Sequence, residues 1–227
     1  MRLYLRGFDS EIVVGEGLAT QLVIESPMLM SRVVQSLVSE AGEFALEPYS
    51  LWTDGGGEVK SKGALFCVTD PFQLPWDHRV FVSGLLQRVD SLIMEDDESR
   101  IAIEALGSEL RSRLAGLGFS LNSDYGFSVE WDAQKFLKAF GYKVETNADD
   151  RLLDSLIKFL ALSSDVGLNK PLVFVCLQNF LSIEDRKVLV EQAIFYGISL
   201  LMLESRQDDF ASESLRKYVI DQHLLEY

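Results

Sequence analysis

Lysines carry the first chemical signal, because 21 lysines and arginines stand against 35 aspartates and glutamates, a formal charge of −14, and grouped cations are conspicuous on such a chain. Lys60 and Lys62 alternate on one face of a segment read as a strand leaving a turn. Lys135 and Lys138 lie three apart on one helical face, and Lys143 follows just beyond Gly141. Groups of this kind most often form solvated faces. Joined together they make a track for a polyanion, since ammonium groups neutralise phosphates whatever the base sequence. A second group is acidic: Asp124, Glu130 and Asp132 crowd one loop, and oxygen ligands at irregular spacing suit calcium. For Asp132 the plainer expectation is the N-cap of the helix that WDAQKF opens.

Other chemistries find no support in the residues. The phosphate-loop pattern G-x-x-x-x-G-K-[ST] is absent, and the first buried strand runs into Glu25-Ser26-Pro27, a carboxylate and a proline where phosphate-cradling amides would stand. Gly55-Gly56-Gly57 precedes a strand rather than a helix, and Asp70 at the end of VTD reads as a strand-end cap in the absence of a lysine and hydroxyl partner for magnesium. There is no G-x-S-x-G elbow, and the two histidines, His78 and His223, stand apart from each other and from any cysteine. Cys67 and Cys176 each sit inside an apolar run and read as buried reduced thiols.

The elements that must position these groups begin with a repeating alternation of strand and helix. Leu172 to Leu177 and Ile198 to Leu203 are continuous apolar runs of the kind that strands covered on both faces require. Between them Ser182 and Asp185 form a capping-box pattern, Val188, Gln192 and Tyr196 recur at i+4, and Gly197 suits a left-handed helix end. Strand, helix and strand make a right-handed crossover and a partly parallel sheet. Near the start, TQLVIES reads as a strand and Pro27 opens a helix over PMLMSRVVQSLVSEAG. FALEPYSLWT and EVKSKGALFCVTD flank Asp54-Gly55-Gly56-Gly57, which predicts a hairpin.

The middle of the chain is different. From Glu95 to Gly118 the apolar positions Ile103, Leu106, Leu110, Leu114 and Leu117 keep helical spacing, and further helices are predicted at 132–140 and 149–162. The fold class is therefore α/β, a partly parallel sheet head built from residues 1–94 and 165–227, with an α-helical leg, 95–164, inserted between them. A chain of 227 residues with 48% hydrophobic residues can bury a full core without disulfides or a structural metal. The opening residues lack the apolar run of a signal peptide and no window approaches a membrane span, so the expected setting is cytoplasmic, with no membrane partner.

Taken in order, LVIESPMLMSRVVQSL, GALFCVTD, FLKAFGYKVETNADDRLLDSLIKFL, KPLVFVCLQNFLSIED and ISLLMLESR resemble the Csn-two family, the small spacer-acquisition proteins of subtype II-A CRISPR systems, nearly end to end. The resemblance implies a head like a P-loop nucleotide-binding domain with its phosphate loop lost. It also implies a homotetrameric ring around double-stranded DNA without catalytic activity, and association with the RNA-guided effector nuclease and the integrase subunits. By position, Lys138 and Lys143 match basic residues of the family, and Lys60 and Lys62 fall in a similarly basic stretch. Calcium is the implied cofactor at the hinge between head and leg, although LNSDYGFSVEWD is poorer in acids than the family's segment. A degenerate nucleotide-binding protein and a protein-only scaffold are the alternatives.

Overall fold

The computed structural model describes residues 1–15, 17–127, 130–147 and 149–226. The chain forms two compact units, one from Met1–Trp76 with Thr146–Tyr227 and the other from Asp77–Glu145. The first unit opens with β1 (Arg2–Leu5), β2 (Ile12–Val13), β3 (Ala19–Ile24), α1 (Pro27–Ser39), β4 (Tyr49–Trp52), β5 (Glu58–Val59) and β6 (Phe66–Val68). The second unit holds α2 (Arg79–Glu95), α3 (Asp97–Gly118) and α4 (Ala133–Ala139), after which α5 (Leu152–Asp165), β7 (Leu172–Val175), α6 (Ile183–Phe195), β8 (Leu200–Glu204) and β9 (Leu215–Ile220) complete the first. Among the described residues no helix is long and apolar enough to cross a membrane.

Two sheets organise the first unit. One is antiparallel with strand order β2-β1-β4-β5, and the other has the order β6-β7-β8-β3-β9 with every neighbouring pair parallel. The sequence dictates this difference. β1 and β4 alternate buried with half-buried residues, whereas β3 and β8 are buried at every position, as a sheet covered on both faces demands. On one face, Leu22, Ile24, Val173, Leu201 and Leu203 join Leu3, Leu5, Tyr49 and Leu51 of the antiparallel sheet and Leu29, Val33 and Leu37 of α1 in one core. On the other, Phe159 of α5 meets Phe66 and Phe174, each with ring centroids 6.4 Å away, and Trp76 at 5.4 Å.

The helix ends follow their sequence signals. Ser26 caps α1 with Pro27 at its first position, Ser182 and Asp185 close a capping box on α6, and Gly141 and Gly197 both take φ of 68° after α4 and α6. β7 and β8 are parallel neighbours joined through α6, with Leu172 opposite Leu200.

Four expectations are corrected. The hairpin over Asp54 to Gly57 closes β4 onto β5 alone; β6, carried by GALFCV, belongs to the parallel sheet, because its unbroken apolar run needs cover on both faces. Lys60 and Lys62 consequently sit in the turn that follows β5 rather than on a strand. The compact units divide at 77 and 145 instead of 95 and 164: α5 packs on α6, and its Leu156, Phe159 and Leu160 are fully buried in the first unit. The 95–118 segment is also not one helix from Glu95, since Asp96 ends α2 and caps α3 by accepting the Glu98 amide at 3.1 Å.

In the second unit the apolar stripe of α3 is open. Leu106, Leu110, Leu114 and Leu117 are 66, 45, 47 and 65% exposed, because α3 outruns the cover offered by α2 and the seven residues of α4. One close packing point exists at Gly107, which is buried beneath the Trp131 indole; a β-carbon placed there would collide with the ring. Trp131 in turn lies 5.4 Å from Phe136 of α4.

Candidate nucleic-acid interface

The carboxyl ends of parallel strands are where an α/β sheet ordinarily holds a nucleotide. Here the turn from β3 to α1 is already consumed. Ser26 Oγ accepts the Leu29 amide at 3.4 Å, the Ser26 carbonyl accepts the Met30 amide at 2.9 Å, and Pro27 has no N–H to offer. Asp70, beyond β6, accepts the Phe72 amide and the Gln73 side-chain amide, each at 2.9 Å, which makes it a strand-end cap. The Gly55 to Gly57 run is the β4–β5 turn, tied by the Gly57 amide to Thr53 Oγ1 at 3.0 Å.

A buried ionic network occupies the end of β8. Glu204, 0% exposed, accepts the Gln178 amide on both oxygens at 3.2 and 3.3 Å, and burial pushes its carboxyl up to about 7 against the pull of Gln178 and Arg186. Arg186, 3% exposed, pairs with Asp208 and stands 4.6 Å from the Phe210 ring centroid. Lys217 Nζ approaches the same Asp208 at 3.8 Å. Burial likewise pushes the Cys176 thiol up and the Cys67 thiol up to about 12, so neither presents a thiolate. His78 caps α2, accepting the Val80 amide at 3.3 Å, and His223 lies in the C-terminal turn of the other unit.

The five lysines divide between the units. Lys60 and Lys62 are exposed on the first unit; Lys135 and Lys138 lie on α4 and Lys143 beyond it, all exposed on the second. Lys135 is partly neutralised by Asp132 at 3.5 Å. Lys138 sits in the last turn of α4, where the helix dipole favours a cation. The exposed rings of Phe140 and Tyr142 stand beside it in sequence.

The three carboxylates do not form a donor set. Glu130 is engaged by Arg111 at 3.0 Å, and the Arg111 guanidinium also lies 5.2 Å from the Phe127 ring centroid. Asp132 fulfils the capping expectation, accepting the Lys135 amide at 2.9 Å; that bond holds its carboxyl below the usual carboxylate range. Asp124 is exposed in the loop. Among the described residues no group of three histidine, cysteine, aspartate or glutamate side chains stands close enough to hold a metal ion.

A family model described as CRISPR-associated protein (Cas_Csn2) matches residues 53–224. No curated protein sequence matches the chain. Among solved structures, the crystal structure of Stu0660 of Streptococcus thermophilus superposes with a TM-score of 0.61 at 12% identity, covering 97% of this chain and 75% of that one, a likeness of fold.

Proposed function

Since the chain belongs to the Cas_Csn2 family of CRISPR-associated proteins, we propose that it is a non-catalytic binder of double-stranded DNA acting in spacer acquisition. In this reading it works in the cytoplasm as a homotetrameric ring, alongside the RNA-guided effector nuclease and the integrase subunits. The carrying observation is electrostatic. In a chain of charge −14, Lys60, Lys62, Lys138 and Lys143 have no ion-pair partner among the described residues, and they keep their full charge for a polyanion. Lys135 adds to the same track once its ammonium is shared between Asp132 and a phosphate. Closed symmetry concentrates scattered cations on one inner rim while the acidic remainder faces out. The head is read as a P-loop-like domain that has lost its phosphate loop, a reading supported by Glu25-Ser26-Pro27 and by the parallel sheet. ATP hydrolysis is therefore absent from the proposed activity. Calcium enters as a ligand of Asp124, Glu130 and Asp132 only by displacing Arg111 and uncapping α4, which makes its binding weak.

The test is a gel-shift series with linear and covalently closed duplex DNA. With about six phosphate contacts and a slope of about −0.9 per contact, affinity is expected to fall about a thousandfold between ~50 and ~200 mM salt. Linear DNA should bind better than closed circles, because threading a ring needs an end. Lys138→Glu with Lys143→Glu should weaken binding to all sequences alike while leaving the oligomer intact. Undiminished binding by that variant refutes the lysine assignment, and salt-insensitive or absent DNA binding refutes the function itself. Light scattering during a calcium titration checks the cation: a ring that forms only with micromolar calcium would overturn the weak-site reading.

A further inference from the structure

A cleft lies away from the carboxyl ends of the parallel strands, at the opposite edge of the same sheet. It encloses about 850 Å³ and is lined, strand by strand, by Lys170 and Pro171 before β7, Ser199 before β8, Leu18 before β3 and Arg216 on β9. That volume lies within the usual ~300–1,000 Å³ of small-molecule sites. The strands run in the order β7-β8-β3-β9 with Val173, Leu201, Thr20 and Arg216 level across them, so three spacings of ~4.8 Å and an offset of three residues along the strand put the Lys170 and Arg216 backbones about 17 Å apart, with the uncharged Ser199 and Leu18 between them. The opposite wall, from the antiparallel sheet and its hairpin, includes Arg2 and Asp54. Those two are spent on each other, at 3.7 Å; Arg2 also holds Glu11 at 2.9 Å, and the Met1 amine holds Asp54 at 3.4 Å. Lys170 and Arg216 have no acidic partner among the described residues, and Lys170 Nζ is held 5.3 Å from the Phe66 ring centroid.

Two unpaired cations flanking a neutral, partly apolar floor define the chemistry of the occupant. We propose that this cleft binds a small ligand carrying two separated phosphates, of nucleoside bisphosphate size, with one phosphate at Lys170, the other at Arg216 and the uncharged body over Ser199 and Leu18. The site lies apart from the lysines proposed for duplex DNA, so its occupancy and DNA binding can be separated.

Isothermal titration of the whole chain with adenosine 3′,5′-bisphosphate, adenosine 5′-monophosphate and inorganic phosphate tests the proposal. One bisphosphate per chain is expected, bound at least about tenfold tighter than the monophosphate, the difference that one charge-assisted contact supplies. Lys170→Gln and Arg216→Gln, both at solvent-reached positions, should each reduce the bisphosphate to the monophosphate's affinity. The double variant should abolish its binding while circular dichroism and duplex DNA affinity stay unchanged. Absence of saturable bisphosphate binding, equal affinity for inorganic phosphate, or insensitivity to both substitutions overturns the proposal. So does a parallel loss of DNA affinity in the double variant, which would assign the cleft to the duplex.

Discussion

The two units treat their apolar residues in opposite ways. In the first, Leu22, Val23, Phe159, Phe174 and Leu201 are all 0% exposed, and the sheet they build is covered on both faces. In the second, Phe81, Leu86 and Gly107 are buried, while Ile101, Leu106, Leu117 and Phe140 are 61, 66, 65 and 76% exposed. The difference teaches that hydrophobic periodicity in α3 exceeds what the interior of the second unit covers. Apolar surface on this scale marks an interaction face, and the proposed tetramer supplies a second chain to cover it.

Four changes break or sharpen that contrast. Phe174→Ala empties a site closed on every side and should cost about 3–5 kcal/mol in urea unfolding of the first unit. Next comes the buried acid. Because burial raises the Glu204 carboxyl to about 7, the folded chain keeps a proton that the unfolded chain has released, so this contribution is complete below the ordinary carboxylate range and is lost as pH rises through about 7. The drop amounts to about 3 kcal/mol, at ~1.4 kcal/mol per pH unit of displacement. Glu204→Gln should flatten the pH profile of denaturation and stabilise the chain at pH ~8; a profile unchanged by the substitution would show that the network around Arg186 already compensates the charge.

In the second unit the expected effects are smaller. Gly107→Ala should cost about 2 kcal/mol despite alanine's better helix propensity, because the Trp131 ring must move, and the near-ultraviolet dichroism of the indole should weaken. Leu114→Ser, at a position already 47% exposed, should change unfolding by less than about 0.5 kcal/mol yet shift the oligomer toward smaller species in light scattering. An intact oligomer in that variant would place the subunit contacts elsewhere.

Much of the first unit was legible because its signals are local. Ser26-Pro27, the Ser182 and Asp185 box, Gly197 and the two apolar runs around α6 each act within a turn or two of their own position. The hairpin misled because Asp54 to Gly57 dictates a reversal but says nothing of how far the returning strand pairs; β5 stops after Val59, and the chain crosses to another sheet. β9 escaped notice because LRKYVI mixes charges into an edge strand whose exposed side tolerates them. α5 was misplaced for a related reason: its spacing declares a helix, but only the aromatic contacts of Phe159 declare which unit it serves. At the candidate site, spacing identified the lysines and the Asp132 cap. Arg111's hold on Glu130, across 19 positions of sequence, carries no spacing signal at all. Lys170 and Arg216 become neighbours of one cleft only through the strand order.

That strand order also governs how the chain comes into being. β9, some 190 residues downstream, pairs along its whole length with β3, Ala19 opposite Leu215 through Ile24 opposite Ile220. During synthesis β3 must therefore wait, with its edge unpaired, until the chain has been made through Ile220, and the helical second unit emerges complete in the interval. Closure of so long a loop before any reward from pairing makes folding slow relative to a local topology of the same stability. The second unit can gain its helices early, whereas the sheet forms as a late, concerted event, and the interval between them is when the half-made protein is most open to aggregation or to chaperone capture.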